Sequence, residues 1–155
     1  MATLRNLRHH HLPLPGGAVS ISPWTDLTCS GASFISGAAT DLLVTRHQLV
    51  ELAAGYLDGA DPRLPLASPI FGDLGGLPLL LLLVGSDETL LDDAIGLSRA
   101  VALGGGEVTL SIGGGMQHDY PLYVGAMPES EAAVNMIGAW IRARACGRST
   151  SPGME

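Results

Sequence analysis

The sequence predicts an α/β domain built on three parallel strands with flanking helices, and three observations carry that expectation. The apolar run at residues 79–84 has the length of a strand and no polar face, the pattern of a parallel strand covered by helices on both sides. Shorter strand-like runs at 18–22 and 107–112 stand on either side of it in the chain, and helical stripes alternate with all three, which calls for right-handed crossover connections. The last two strands open into polar loops, Gly85-Ser86-Asp87-Glu88 and Gly113-Gly114-Gly115-Met116-Gln117-His118-Asp119-Tyr120. Ligands and chemistry collect at the carboxyl ends of parallel strands, so an acid at one exit and an imidazole at the next suggest a working pair.

Bulk properties agree with one packed domain. The 155 residues are 46% hydrophobic and 15% charged, enough apolar material for a core and too little charge for disorder. A net charge of -7 without a basic patch argues against a nucleic-acid surface. Cys29 and Cys146 form no ligand-spaced set, so structural or free thiols are expected rather than a disulfide framework or a zinc site. The first residues lack the apolar core of a secretory signal, and the longest apolar run, 77–84, is far short of the roughly eighteen residues that span a bilayer. A cytoplasmic protein is the expectation.

In chain order, Met1, Leu4 and Leu7 set against Arg5 and Arg8 read as the last turns of a helix. His9, His10 and His11 follow it. Consecutive helical residues point in different directions, and cationic His suits a helix C-terminus, so no metal site is assigned to them. Residues 18–22 form a strand that Pro23 ends. Residues 28–40 read as a connection. A helix begins near Asp41, taken as its cap, and turns Leu43, His47, Val50 and Ala54 inward until Gly55 and Gly59 break it; His47 is expected to be packed or half-buried.

Residues 58–76, with three Pro and four Gly, form a long surface segment leading to the central strand. Beyond that strand Leu90, Leu91, Ala94, Leu97 and Val101 make a helical stripe that Gly104-Gly105-Gly106 closes with a left-handed cap. Residues 107–112 alternate polar and apolar, as a half-exposed edge strand does. Pro128 opens a last helix whose buried face is Ala133, Met136, Ile137, Trp140 and Ile141. Residues 1–146 are thus expected to form one incomplete domain and 147–155 a frayed tail. Three strands are few for a parallel sheet, and they leave residues 18–22 as an unpaired edge.

Five motifs then line up. They are Ser22-Pro23-Trp24-Thr25-Asp26-Leu27, Asp61-Pro62 with Ser68-Pro69, Gly75-Gly76-Leu77-Pro78, Leu90-Leu91-Asp92-Asp93, and Gly115-Met116-Gln117-His118. In this order and spacing they resemble the C-terminal half of the hormone-sensitive-lipase-like family of carboxylesterases and lipases. The resemblance implies a partial α/β-hydrolase fold holding its last three parallel strands. It also implies hydrolysis of a small acyl ester through a Ser-His-acid triad, with neither cofactor nor metal. His118 matches the family's catalytic His, the general base toward the serine and then the acid toward the leaving alcohol.

The family's Asp-Pro-Leu-x-Asp pattern, laid down without a gap, puts the catalytic carboxylate on Glu88, with Leu90 and Asp92 at its Leu and second Asp. Matching by residue type would select Asp87 instead, and Glu88 is preferred because triads of this fold accept either acid. Asp92 and Asp26 are expected behind the pair, Asp92 on a helix face and Asp26 bonding its own turn. Ile112-Gly113 replaces the family's usual aromatic residue and Pro, which should loosen the loop carrying His118.

The family's Gly-x-Ser-x-Gly elbow and its His-Gly-Gly-Gly oxyanion loop do not occur in the sequence. Gly113-Gly114-Gly115 is no phosphate cradle, since such a loop must open a helix. With no nucleophile to activate, the chain is expected to be nearly inactive alone. Two other readings remain open. One is a non-catalytic binding module that pairs with another chain, a second copy included, along the 18–22 edge; the other is one half of a split esterase, completed there by an N-terminal half.

Overall fold

The computed structural model describes residues 1–146, so the expected tail lies outside the described residues. Five α-helices and three strands alternate: α1 (Ala2–His9), β1 (Gly17–Ile21), α2 (Ser33–Ser36), α3 (Arg46–Leu57), β2 (Leu79–Gly85), α4 (Leu91–Leu103), β3 (Val108–Gly113) and α5 (Pro128–Cys146). The sheet has the order β1-β2-β3 and is parallel throughout, with Gly17 opposite Leu79 and Leu80 opposite Val108. The expected three-stranded parallel sheet with flanking helices is what forms.

The period-two geometry of β2 divides its leucines between two layers. Leu80 and Leu82 pack with Leu4 of α1 and with Leu97 and Val101 of α4. Leu81 and Leu83 turn the other way, to Tyr120 and to Ala133 of α5, with Ile137 and Trp140 beside them. All four leucines are at most 1% exposed, and each contributes roughly 1.5–3 kcal/mol through burial. β3 half-buries Val108 and Leu110 against the α4 side and leaves Thr109 open, but the alternation stops there, with Ser111 half-buried and Ile112 exposed. No helix among the described residues is long and apolar enough to cross a membrane.

Several local expectations are corrected. Residues 28–40 are more than a connection, because α2 and a 3₁₀ turn at Gly37–Ala39 lie within them. α3 starts at Arg46, where Thr45 and Gln48 form a reciprocal capping box, so Asp41 is not its cap. Its buried residues are Leu49 and Ala53, while His47, Val50 and Ala54 are exposed and His47 pairs with Glu51 at 3.5 Å. The helix runs through Gly55 to Leu57 and stops at Asp58 in the left-handed region. With Thr45 as the cap, the inward face is rotated from the expected one.

The segment before β2 is only partly on the surface. Ser68, Pro69 and Leu74 are buried, and the Ser68 hydroxyl accepts a hydrogen bond from the Leu27 amide at 2.8 Å. On α5, Met136 and Ile141 are exposed, so its inner face is narrower than the sequence suggested. A smaller cluster of Cys29, Phe34, Leu49 and Leu90 packs α2 and α3 over the loop between β2 and α4. That cluster supports the segment on which the site depends.

Candidate active site

The loop after β2 and the loop after β3 meet at the carboxyl edge of the sheet. Backbone bonds join them, Ser86 N–H to Gly113 O at 2.8 Å and Asp87 N–H to Met116 O at 3.3 Å. The Ser86 hydroxyl also accepts from the Gly115 amide at 2.8 Å. These bonds tie the His118 loop to the β2 exit at Gly113 and at Gly115. Gly85 permits the close approach, since a Cβ there would overlap the carbonyl of Met116. Replacing Gly85 by Ala should destabilise the fold by about 1–3 kcal/mol in urea melts and displace the 113–118 loop, read as amide shifts confined to the two loops.

At this junction His118 Nδ1 lies 3.1 Å from Glu88 Oε2. The Glu88 side chain is fully buried and that of His118 is 24% exposed. Glu88 Oε1 accepts the Gly85 amide at 2.5 Å and the Ser22 hydroxyl at 2.7 Å. Ser22 Oγ in turn accepts from the Asp119 amide at 3.0 Å, which links the end of β1 to the residue after the imidazole. Ser22 and Asp119 both have positive φ, 42° and 55°, so this link forms between two strained turns. A buried carboxylate is stable only when its oxygens are satisfied, and here every oxygen has a donor.

The hydrogen bond to Glu88 holds the His118 pKa above the ordinary imidazole value of 6.5, against the opposing pull of burial. The Asp119 carboxylate, 3.4 Å from Nε2, favours the cation further. Because the folded pKa is raised, His118 contributes stability that is fully present below pH 6.5 and is lost as the pH climbs through the raised value. With a buried carboxylate on Nδ1, the free tautomer carries its proton there and leaves Nε2 able to take one.

The other candidate residues lie elsewhere. Asp87 turns away from the imidazole and accepts the Ser86 hydroxyl at 2.9 Å. Asp92 accepts the amide of Ser33 at 2.9 Å and ties α4 to the start of α2. Asp26 bonds its own turn through the amide and hydroxyl of Thr28 and the hydroxyl of Ser30. These donors hold its carboxyl below the usual range in spite of burial.

Three further buried polar side chains, Ser22, Asp41 and Asp93, bond to the segments around the pair. Ser22 was read as a strand end. Asp41, read as a helix cap, instead accepts the amide and hydroxyl of Thr89 at 2.8 and 3.0 Å, next to Glu88. Asp93 is buried, and its Oδ1 receives the amides of Thr25 at 2.6 Å and Asp26 at 2.8 Å, clamping the β1 exit onto α4. Burial raises its pKa to about 6. Ser22 and Asp93 have a hint in their place inside the Ser22-to-Leu27 and Leu90-to-Asp93 motifs, and Asp41 has none.

A parallel sheet with helices on both faces and a buried acid–imidazole pair at its carboxyl edge is the architecture of a hydrolase that activates a nucleophile. The sequence profile of the alpha/beta hydrolase fold matches residues 1–122, and the chain belongs to that family. Within the family it matches the C-terminal half of the hormone-sensitive-lipase group of esterases. It is 45% identical over 142 residues to an acetyl-hydrolase of Streptomyces hygroscopicus, covering 92% of this chain and 48% of that protein.

A putative acetyl-hydrolase of Mycobacterium tuberculosis, LipR, is 31% identical over 142 residues, covering 92% of this chain and 46% of its own length. Among solved structures, an esterase of the bacterial hormone-sensitive lipase family superposes with a TM-score of 0.91 at 39% identity, covering 92% of this chain and 48% of that one. The chain thus spans about half the length of the relatives it matches.

Proposed function

We propose that this chain supplies the general base and its orienting acid to a carboxylic-ester hydrolase, with His118 as base and Glu88 as acid. The observation that carries the reading is the 3.1 Å contact between His118 Nδ1 and a fully buried Glu88 carboxylate. In this reading His118 Nε2 takes the proton of a serine hydroxyl as it attacks a short acyl ester, and returns it to the leaving alcohol. Glu88 stabilises the imidazolium between the two steps.

The serine and the oxyanion donors come from a segment with the Gly-x-Ser-x-Gly and His-Gly-Gly-Gly motifs, which these 155 residues do not contain. The chain by itself is accordingly nearly inactive, and the outer edge of β1, which among the described residues pairs only with β2 on its inner side, is where such a segment would add. The substrate class follows the acetyl-hydrolase relatives, a small acyl ester. The cytosol suits the free, buried Cys29 thiol.

The test joins the N-terminal half of the Streptomyces relative to this chain and assays a chromogenic acetyl ester. Turnover is expected in the joined enzyme, with His118→Ala lowering kcat by roughly 10⁴–10⁶-fold. Turnover by the isolated chain that His118→Ala abolishes would overturn the assignment of the nucleophile to another segment. The same β1 edge favours a second reading, a non-catalytic module assembled by strand addition. A concentration-independent monomer mass would exclude self-pairing through it.

A further inference from the structure

The loops carrying Glu88 and His118 are joined a second time, through a segment that belongs to neither. Gln117, immediately before the imidazole, uses both ends of its amide on the backbone of residues 40–42. Its Oε1 accepts the Leu42 amide at 2.8 Å and its Nε2 donates to Thr40 O at 2.9 Å. One partner is a donor and the other an acceptor, so the amide has a single satisfied orientation.

The same short segment grips the acid loop. Asp41 Oδ2 accepts the amide and hydroxyl of Thr89, while its Oδ1 accepts the amides of Leu43 at 3.0 Å and Val44 at 2.9 Å. Thr40 Oγ1 lies 3.2 Å from the carbonyl of Asp87. Gly37, just upstream, packs so closely on the Glu88 backbone that a Cβ there would sit 3.0 Å from its carbonyl oxygen. The bonds from Asp41 Oδ1 close a local turn, whereas those to Thr89, Asp87 and Gln117 each span more than 45 positions in the chain and are no by-product of local geometry.

We infer that residues 40–44 are a strap that positions His118 against Glu88, with Gln117 as its grip on the imidazole loop and Asp41 as its grip on the acid loop. Gln117 is a positioning residue: it touches neither the reacting atoms nor the imidazole's partner. The inference rests on the proposed pairing of His118 with Glu88 as base and orienter, and it gives that pairing a mechanical support outside the sheet. The bonds between the β2 and β3 exits hold the loops together on the sheet side, and the strap stops them rotating about that contact. Displacements of about 1 Å in such a pair lower rates by roughly 100-fold, which is why a second attachment has a function.

The test is proton and nitrogen NMR of the His118 ring in the full chain, carried out on Gln117→Ala and Gln117→Glu. Gln117→Glu keeps the shape and the acceptor for Leu42 but removes the donor to Thr40. Both variants are expected to lose the protected Nδ1–H resonance of His118, and Gln117→Ala, which adds no charge, is expected to move its titration midpoint down toward 6.5. Gln48→Ala, which breaks the α3 capping box without touching either loop, serves as control and should leave both signals in place.

Retention of the resonance in both Gln117 variants, with an unmoved midpoint in Gln117→Ala, would overturn the strap, as would an equal loss in the Gln48 control. In the joined enzyme, Gln117→Glu should lower kcat and leave KM unchanged. Absence of any ester turnover in the joined enzyme would count against the proposed function alone, because the ring signals are read without substrate.

Discussion

Glu88→Gln is expected to reduce kcat of the joined enzyme by about 10⁴-fold while leaving the fold intact, the size of effect found when a triad's orienting acid becomes an amide. The reason lies in the donors around the carboxylate. Glu88 Oε1 receives the Gly85 amide and the Ser22 hydroxyl, so a Gln at this position must place its oxygen there. Its amino group then faces His118 Nδ1, which can only accept. The ring proton moves to Nε2, and Nε2 can no longer take one from a serine.

The same variant gives a signature in the isolated chain, where no turnover is needed. Loss of the charged partner should lower the His118 titration midpoint toward 6.5 and flatten the stability that the raised pKa supplies at low pH. An unchanged midpoint would show that the pairing does not control the imidazole. Asp87→Asn is the comparison: Asp87 faces Ser86 rather than the ring, so this variant should shift the midpoint far less.

Asp93→Ala is expected to destabilise the chain by about 3 kcal/mol in urea or thermal melts, since it leaves the buried amides of Thr25 and Asp26 without an acceptor. Asp93→Asn retains an oxygen for both donors and should stay within about 1 kcal/mol of the original. The pH dependence separates the two sources of the effect. With the folded pKa of Asp93 raised to about 6 against an ordinary value of 3.8, the folded state binds the extra proton between those values. Stability from this group therefore falls as the pH rises from about 4 to 6, and Asp93→Asn should remove that slope. If Ala and Asn proved equally harmful, the clamp between the β1 exit and α4 would not be what holds this region.

Much of the architecture was legible because it depends on periodicity alone. A run of five leucines and a valine between Pro78 and Gly85 has the length of a strand and no polar face, and a helical stripe ending in three glycines stops there. The boundaries and faces of α3 were not legible. Asp41 and Thr45 are both good cap residues, and the choice between them was made by Thr89, 48 positions away in the chain, which takes the carboxylate of Asp41 for itself. The predicted inward face rotated with that choice.

The sequence by itself determined the order of the elements, the parallel sheet and the two loops where an acid and a histidine emerge, because these follow from local pattern and chain direction. The family resemblance placed the acid on Glu88 by ungapped spacing, with Asp87 as the alternative by residue type. In the tertiary structure adjacent side chains leave the loop in different directions, and Glu88 turns into the donors of Gly85 and Ser22 and onto His118 while Asp87 accepts the Ser86 hydroxyl. The tertiary structure also decided what Ser22, Asp41, Asp93 and Gln117 are for. Each acts on a residue at least 48 positions away, and contacts of that separation exist only once β1, β2 and β3 lie side by side.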